Sequence, residues 1–391
     1  MKRILIFSLA YYPRFSSGAE VAIQEITDRI DPSDIEFHMI TLLFDRTSAH
    51  EERIGNVHIH RVGFGENYLS KMFYIPLAAL KARSLHTKFH FDALWSMMTY
   101  MLLPVVSAKL LGVKAPHILT LQDGDSYEKV FERWFIRPVA PLLNAGFRNA
   151  AIVQAISTYL ATWPARRGYK GLVEVIPNGF SVTSAQEYPA DEIEQLKQAV
   201  GKKWGDVFLI SISRLVHQKG IDVVIRALPL LPPRTHLLVV GDGPDRQMLE
   251  NLARELRVSE RVVLIGKVDR TMTAKYRKVG DIFVSPSRSE GQGIAFLSTM
   301  VAGLPIVATQ EGGIVDFLFD AKRNPDKPTT GWAVDKDNPK QIAEAVTEIL
   351  TQPDQTRKVV ATAKKFAQDN FDWNVIAKNM REKVFGRVLT K

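Results

Sequence analysis

Ile282-Phe283-Val284-Ser285, then Pro286-Ser287-Arg288-Ser289-Glu290-Gly291-Gln292-Gly293-Ile294, then the apolar run Ala295 to Ala302, is the stretch that decides the fold. The first four residues form a short, apolar run that reads as a strand buried on both faces. The middle places two glycines and a carboxylate in a loop, and the last part has helical, apolar character. A strand that passes through a glycine-bearing loop into a helix is the repeating unit of a parallel α/β sheet. Pro305 to Ala308 begins the next unit, which runs on to Glu311-Gly312-Gly313.

Working towards the N-terminus, the same pattern recurs at Val207 to Ser213, His236 to Gly241 and Val262 to Ile265. These make one α/β half. A second set of short apolar runs, each followed by a helical pattern, lies at Arg3 to Leu9, Phe37 to Leu43, Ala93 to Ser96, His117 to Leu121 and Ala151 to Ala155. Between the two sets, Val175-Ile176-Pro177-Asn178-Gly179 leads into a polar stretch and a helix from about Asp191 to Val200, so the boundary is expected near Pro177 to Tyr188. The expected organisation is two doubly wound domains, residues 1–180 and 188–371. A length of 391 residues fits two domains of roughly 100–200 residues each. A final helix over 372–391, capped by Asp372, carries Trp373, Ile376, Met380 and Val384 at helical spacing, and its apolar face is expected to pack back on the first half.

Composition removes several classes of function. The chain has no cysteine, which excludes disulfides, thiolate metal sites and a cysteine nucleophile, and fits a reducing compartment. With 51 basic and 42 acidic residues, the net charge of +9 favours an anionic partner without naming it. The opening MKRILIFSLAYYP reads as a buried strand rather than a signal peptide, because Tyr11-Tyr12-Pro13 stands where small cleavage-site residues would be. No apolar run reaches the length of roughly 18 residues needed to cross a bilayer.

Open parallel sheets bind ligands beyond the carboxyl ends of their strands, so the segments after each strand carry the chemistry. Ser16-Ser17-Gly18-Ala19-Glu20 opens a helix after the first strand, and reads equally as a phosphate-binding loop or an ordinary serine-capped helix start. Ser213-Arg214-Leu215 with Lys219-Gly220 offers a guanidinium and an ammonium that can grip phosphate. Gly241-Asp242-Gly243-Pro244 resembles a dinucleotide fingerprint only in part, since Arg246 replaces its third glycine. Glu290, among Gly291, Gln292 and Gly293, can accept sugar hydroxyls while bare backbone N–H groups face a phosphate. Asp123-Gly124-Asp125 mimics a metal-binding Asp-x-Asp, a reading set against an ordinary acidic turn. His58 and His60 alternate with apolar residues as strand positions do, and no histidine pair has zinc-site spacing.

Taken in order, these segments resemble glycosyltransferase family 4, the retaining family with the GT-B fold. The pieces are Gly18 to Glu20, Ile176 to Gly179, Arg214-Leu215 with Lys219-Gly220, Gly241 to Pro244, Pro286-Ser287 with Glu290 to Gly293, Ala302 to Pro305, and Gly312-Gly313. The resemblance implies two Rossmann-like domains facing a cleft and a nucleotide-sugar donor, a UDP-, GDP- or ADP-sugar, with neither cofactor nor metal. It implies that Arg214 and Lys219 hold the donor diphosphate, that Glu290 hydrogen-bonds the transferred hexose, and that Gly18 lines the cleft near the phosphates. Backbone N–H groups of Gly291, Gln292, Gly293, Ile294 and Ala295 would complete the cradle, with the base near Gly266, Lys267 and Val268. Gln122 and Asp123, at the end of the fourth strand, would join Glu290 as catalytic positions. Two positions depart from the family pattern. Ser298 stands where a second Glu reaches the ribose, and Gln122 stands where a His is common.

The implied activity is transfer of a hexose to a glycan or lipid-linked acceptor recognised by the first half. The alternative left by Ser298 and Gln122 is a non-catalytic glycan- or nucleotide-binding protein on the same scaffold. Residues 64–90 mix Lys71, Lys81, Arg83 and Lys88 with Tyr68, Met72, Phe73 and Tyr74. That mixture suits peripheral contact with an anionic membrane as well as a solvated basic helix face. The expected location is the cytoplasm, with peripheral contact at the inner face of the membrane where residues 64–90 make it. Nucleic acid is not an expected partner, because the basic residues are spread over both halves and no recognition motif is present.

Overall fold

Parallel strands need long crossover connections, and in this chain helices supply them. The computed structural model describes residues 1–15, 17–45 and 47–390. It divides into two units, one made of Met1–Asn178 with the chain from Trp373 onward, the other of Gly179–Asp372.

The first unit holds β1 (Lys2–Phe7), β2 (Ile35–Leu42), β3 (Glu51–Ile54), β4 (Val57–Val62), β5 (Ala93–Met97), β6 (His117–Leu121), β7 (Ile152–Ala155) and β8 (Val173–Val175). They form one sheet in the order β3-β4-β2-β1-β5-β6-β7-β8. Every pair is parallel except β3 with β4. Central strands such as β1 and β5 bury Ile4 to Phe7 and Ala93 to Trp95 completely, which is why they appear in the sequence as unbroken apolar runs. The helix Tyr68–Phe89 covers one face of the sheet with Tyr74, Ala78, Ala79, Ala82 and Leu85.

The second unit holds β9 (Val207–Ile212), β10 (Thr235–Val240), β11 (Val262–Gly266), β12 (Ile282–Ser285), β13 (Ile306–Thr309) and β14 (Trp332–Val334). Their order is β11-β10-β9-β12-β13-β14, all parallel. The strand order runs outwards in opposite directions from the β9/β12 pair. Connections from those two strands therefore diverge and open a crevice at their carboxyl ends. In the first unit the corresponding pair is β1/β5.

Both sheets match the α/β GT-B class expected from the sequence. The sequence reading did not mark β3, β8 or β14. β3 alternates exposed and half-exposed residues, and the other two strands are three residues long.

Residues 179–187 associate with the second unit. Phe180 N–H donates to Phe371 O at 3.1 Å, Ser181 N–H to Ser298 Oγ at 2.9 Å, and Arg277 Nη1 to Ser184 Oγ at 2.6 Å. The terminal segment packs within the first unit. Phe385 lies against Trp95 and Phe37 with ring centroids 5.0 and 5.9 Å away, and the Arg381 guanidinium grips both oxygens of Asp34. The expected helix forms as a continuous run of Trp373–Asn379, a π-helical turn Met380–Phe385 and Gly386–Leu389. Val384 and Phe385 are neighbours in sequence and both fully buried, and the wider π turn helps bring both to the core. Lys391, the last residue of the expected helix, lies outside the described residues.

Candidate functional site

The crevice at the β9/β12 switch point is lined by two loops. The loop after β9 carries Arg214 and Lys219, and the loop after β12 carries Glu290. Lys219 Nζ donates to Glu290 Oε2 at 2.6 Å, with the two side chains 17% and 11% exposed. Arg214 stands exposed one residue beyond Ser213, with no salt bridge among the described residues. An ammonium has three N–H donors and a carboxylate several acceptor sites, so their mutual contact leaves both able to bind further groups.

Backbone packing holds these loops in place. Gly220 has φ +67°, and a Cβ there would lie 2.2 Å from Pro286 O, so the chain after Lys219 touches the chain before Glu290 directly. Gly312 has φ +61°, and its Cβ would lie 2.0 Å from Glu290 O, the same oxygen that accepts Gly313 N–H at 3.0 Å. Any side chain at either position would displace the loop. The Gly241-Asp242-Gly243-Pro244 loop nests on the loop after β9, with Leu215 N–H on Asp242 O at 3.0 Å and Asp245 N–H on Leu215 O at 3.1 Å. Its glycines thus serve loop-on-loop packing.

Of the other residues expected at the donor, all but Gly18 belong to the second unit. Gly293 caps the helix Ile294–Ala302, whose first N–H groups, including those of Ile294 and Ala295, lack intrahelical acceptors. Gly291 and Gln292 are buried in the turn before it. Gly266 ends β11, two strands from β9, with Lys267 and Val268 following it, and Gly266 O accepts Gly241 N–H at 2.9 Å. Ser298 is buried, and its hydroxyl accepts the Ser181 N–H, which commits it to the segment following Gly179.

Gly18, Gln122 and Asp123 belong to the first unit. Ser16 lies outside the described residues. Gly18 begins the helix Gly18–Thr27, and the Glu20 carboxylate turns back to accept Ser17 N–H at 2.8 Å, as in a capped helix start. Gln122 is locked with Asn178 in a reciprocal amide pair, at 3.2 and 3.1 Å. Asp123 is buried and accepts both the hydroxyl and the N–H of Thr99, at 2.9 and 3.3 Å. Burial outweighs those two bonds and pushes its carboxyl up to about 6. Asp125 is tied to Lys129 at 2.6 Å, so the two acids of Asp-Gly-Asp face different partners. Among the described residues no group of three His, Cys, Asp or Glu is arranged to hold a metal ion. His60 is strand-bound as expected, 3.1 Å from His38 and 3.1 Å from Glu51.

The sequence reading missed Thr99, which comes from the loop after β5. It also missed Asn178, which it treated as linker. Of the aromatic and apolar residues expected at a membrane-facing surface in 64–90, Tyr74 is instead buried against the sheet; Leu69, Trp134 and Phe135 are exposed residues that the sequence reading did not name. Tyr68, Leu69, Met72 and Phe73 of the helix Tyr68–Phe89 are exposed beside Lys71, and Trp134 is 80% exposed next to Phe135. Ile75 of that helix packs on the same core cluster as Ile136, linking the two segments. No helix among the described residues is long and apolar enough to cross a membrane.

Comparison with known proteins covers both units. The glycosyltransferase family 4 model matches residues 16–184, and the glycosyl transferases group 1 model matches residues 192–366. A GDP-mannose-dependent alpha-(1-6)-phosphatidylinositol monomannoside mannosyltransferase of Mycolicibacterium smegmatis is 29% identical over 267 residues, covering 65% of this chain and 67% of that enzyme. The match spans between about half and two thirds of the length of this enzyme, its Mycobacterium tuberculosis counterpart and a Methanocaldococcus jannaschii glycosyltransferase. Among solved structures, sucrose-phosphate synthase from Thermosynechococcus elongatus superposes with a TM-score of 0.84 at 19% identity over 100% of both chains. Anabaena HepE in complex with UDP and glucose superposes with a TM-score of 0.79 at 21% identity, over 99% of this chain and 100% of that one. Those two likenesses speak to the fold alone. With one family model on each unit and named glycosyltransferases among its relatives, this chain belongs to the group 1 glycosyl transferases of glycosyltransferase family 4.

Proposed function

We propose that this chain transfers a hexose from a nucleotide-diphosphate sugar to a glycan or lipid-linked acceptor, with retention at the anomeric carbon and without a bound metal. The observation that carries the reading is the Lys219–Glu290 pair, 2.6 Å apart on loops leaving two adjacent strands. Lys219 uses one N–H on Glu290 and offers the rest to the diphosphate, while exposed Arg214 adds a planar fork. Glu290 retains acceptor capacity for sugar hydroxyls. In the reaction the bond from the anomeric carbon to the diphosphate oxygen breaks, and an acceptor oxygen bonds that carbon on the same face. The acceptor proton leaves with the diphosphate. Negative charge gathers on the departing group, where cations held in advance by the fold stabilise it most effectively. The separate engagement of Asp123 and Asp125 supports a reading in which they do not jointly hold a metal.

The relative that uses GDP-mannose and a phosphatidylinositol mannoside supports a hexose donor and a lipid-linked acceptor here. The exposed aromatic and basic face within residues 64–90, extended by Trp134 and Phe135, supports peripheral contact with an anionic bilayer.

Three outcomes follow. Lys219→Ala and Glu290→Ala should each lower nucleotide release from UDP-glucose or GDP-mannose, whichever is turned over, by roughly a hundredfold in EDTA, with the fold intact by circular dichroism. Rates within about threefold of wild type would remove the role given to that residue. Wild-type protein should co-sediment with phosphatidylglycerol vesicles at physiological salt, and Trp134→Ser with Phe73→Ser should weaken this; absence of sedimentation would remove the membrane contact. Asp123 has a raised folded pKa, so its contribution is favourable at low pH and is lost as pH rises through about 6. Asp123→Asn should therefore gain stability over wild type between pH 5 and pH 8, by on the order of 1–3 kcal/mol in urea unfolding. An offset independent of pH would show that Asp123 is not held above its ordinary range.

A further inference from the structure

Three loops of the second unit meet at Arg288. Its own loop follows β12, the loop of Gln218 and Lys219 follows β9, and Asp337 lies between β14 and the helix Pro339–Thr351. The guanidinium donates from Nη1 to Asp222 Oδ1 at 2.9 Å, from Nη2 to Asp222 Oδ2 at 2.7 Å, and from Nε to Asp337 Oδ1 at 2.7 Å. Backbone bonds run alongside. Arg288 N–H donates to Gln218 O at 2.7 Å, and Gln218 Nε2 donates to Ser289 O at 3.1 Å.

The arrangement is built rather than casual. The side chains of Arg288 and Asp222 are 14% and 18% exposed, so this two-pronged pair is largely shielded from water. Asp337 has φ +59°, a left-handed conformation uncommon for a residue with a Cβ, and it holds that conformation while its carboxylate meets Arg288. Asp222 lies in the first turn of the helix Ile221–Ala227, three residues after Lys219. Glu290 lies two residues after Arg288. One guanidinium thus joins the start of the helix behind Lys219 to the loop that bears Glu290.

We infer that Arg288, acting through Asp222, is a positioning residue that sets the separation of Lys219 and Glu290, so that one ammonium serves both the carboxylate and a nucleoside diphosphate. This inference rests on the donor site described above. Lysine in its place would keep the charge but could not span both oxygens of Asp222 and reach Asp337.

The test is a double-mutant cycle on binding, by calorimetry in EDTA with UDP, GDP or ADP, whichever the wild-type protein binds. Arg288→Lys should raise Kd roughly tenfold, while the unfolding midpoint stays within about 2 °C. With Lys219→Ala already in place, Arg288→Lys should cost less than about threefold, because its effect runs through Lys219. Asp222→Asn should repeat both results, and Arg323→Lys, at the exposed pair with Asp335 on the same unit, should leave Kd unchanged. An equal loss in both backgrounds, or a loss of affinity that tracks a lowered midpoint, would overturn the positioning role and leave the donor site standing. Lys219→Ala binding as tightly as wild type would overturn the donor site, and this inference with it.

Discussion

An ammonium and a carboxylate meet 2.6 Å apart on loops leaving two adjacent parallel strands, and the proposed function depends on that pair. The separation follows from topology before it follows from side chains. Only at β9 and β12 does the strand order reverse, so only there do neighbouring connections part and leave their loop ends open. The glycines then make sense as the means of bringing the loops together. Gly220 meets Pro286 O, and Gly312 meets the carbonyl of Glu290 itself.

The strands were legible in the sequence wherever burial on both faces left a continuous apolar run, as in Ile282 to Ser285 or Leu237 to Val240. Three edge strands were not, because Glu51–Ile54 presents charges to solvent and Val173–Val175 and Trp332–Val334 are too short to show a period. Lys219 and Glu290 were legible as strand-end residues of the right chemistry. Their contact was not, since it requires knowing that β9 pairs with β12 across more than seventy intervening residues. The same limit hid Arg288. Its sequence neighbours suggest a loop arginine, and only the pairing of strands brings it to Asp222 and Asp337.

Ser298 and Gln122 show what a sequence pattern conceals in the other direction. Each occupies a position where the family commonly carries a different, polar residue, and each has been taken up by the scaffold. Ser298 holds the segment after Gly179, and Gln122 pairs with Asn178. A hydroxyl and an amide fit those neutral, partly buried partnerships, where a charged group would bear some desolvation cost. Asp123 is the acid at the end of β6 that remains, held by Thr99 and pushed towards neutrality by burial. In the proposed function, donor recognition in the second unit falls to Lys219, Glu290 and Arg214 and to the backbone before the helix Ile294–Ala302.

The most direct measurement is the melting temperature of wild-type and Lys219→Ala protein with millimolar UDP, GDP and ADP in EDTA. A ligand that binds only the folded state must raise it in proportion to affinity. A metal-independent rise with one of the three, lost in Lys219→Ala, is the expected result and names the base. No rise with any of them, or an equal rise in both proteins, would contradict the assignment of the donor diphosphate to Lys219.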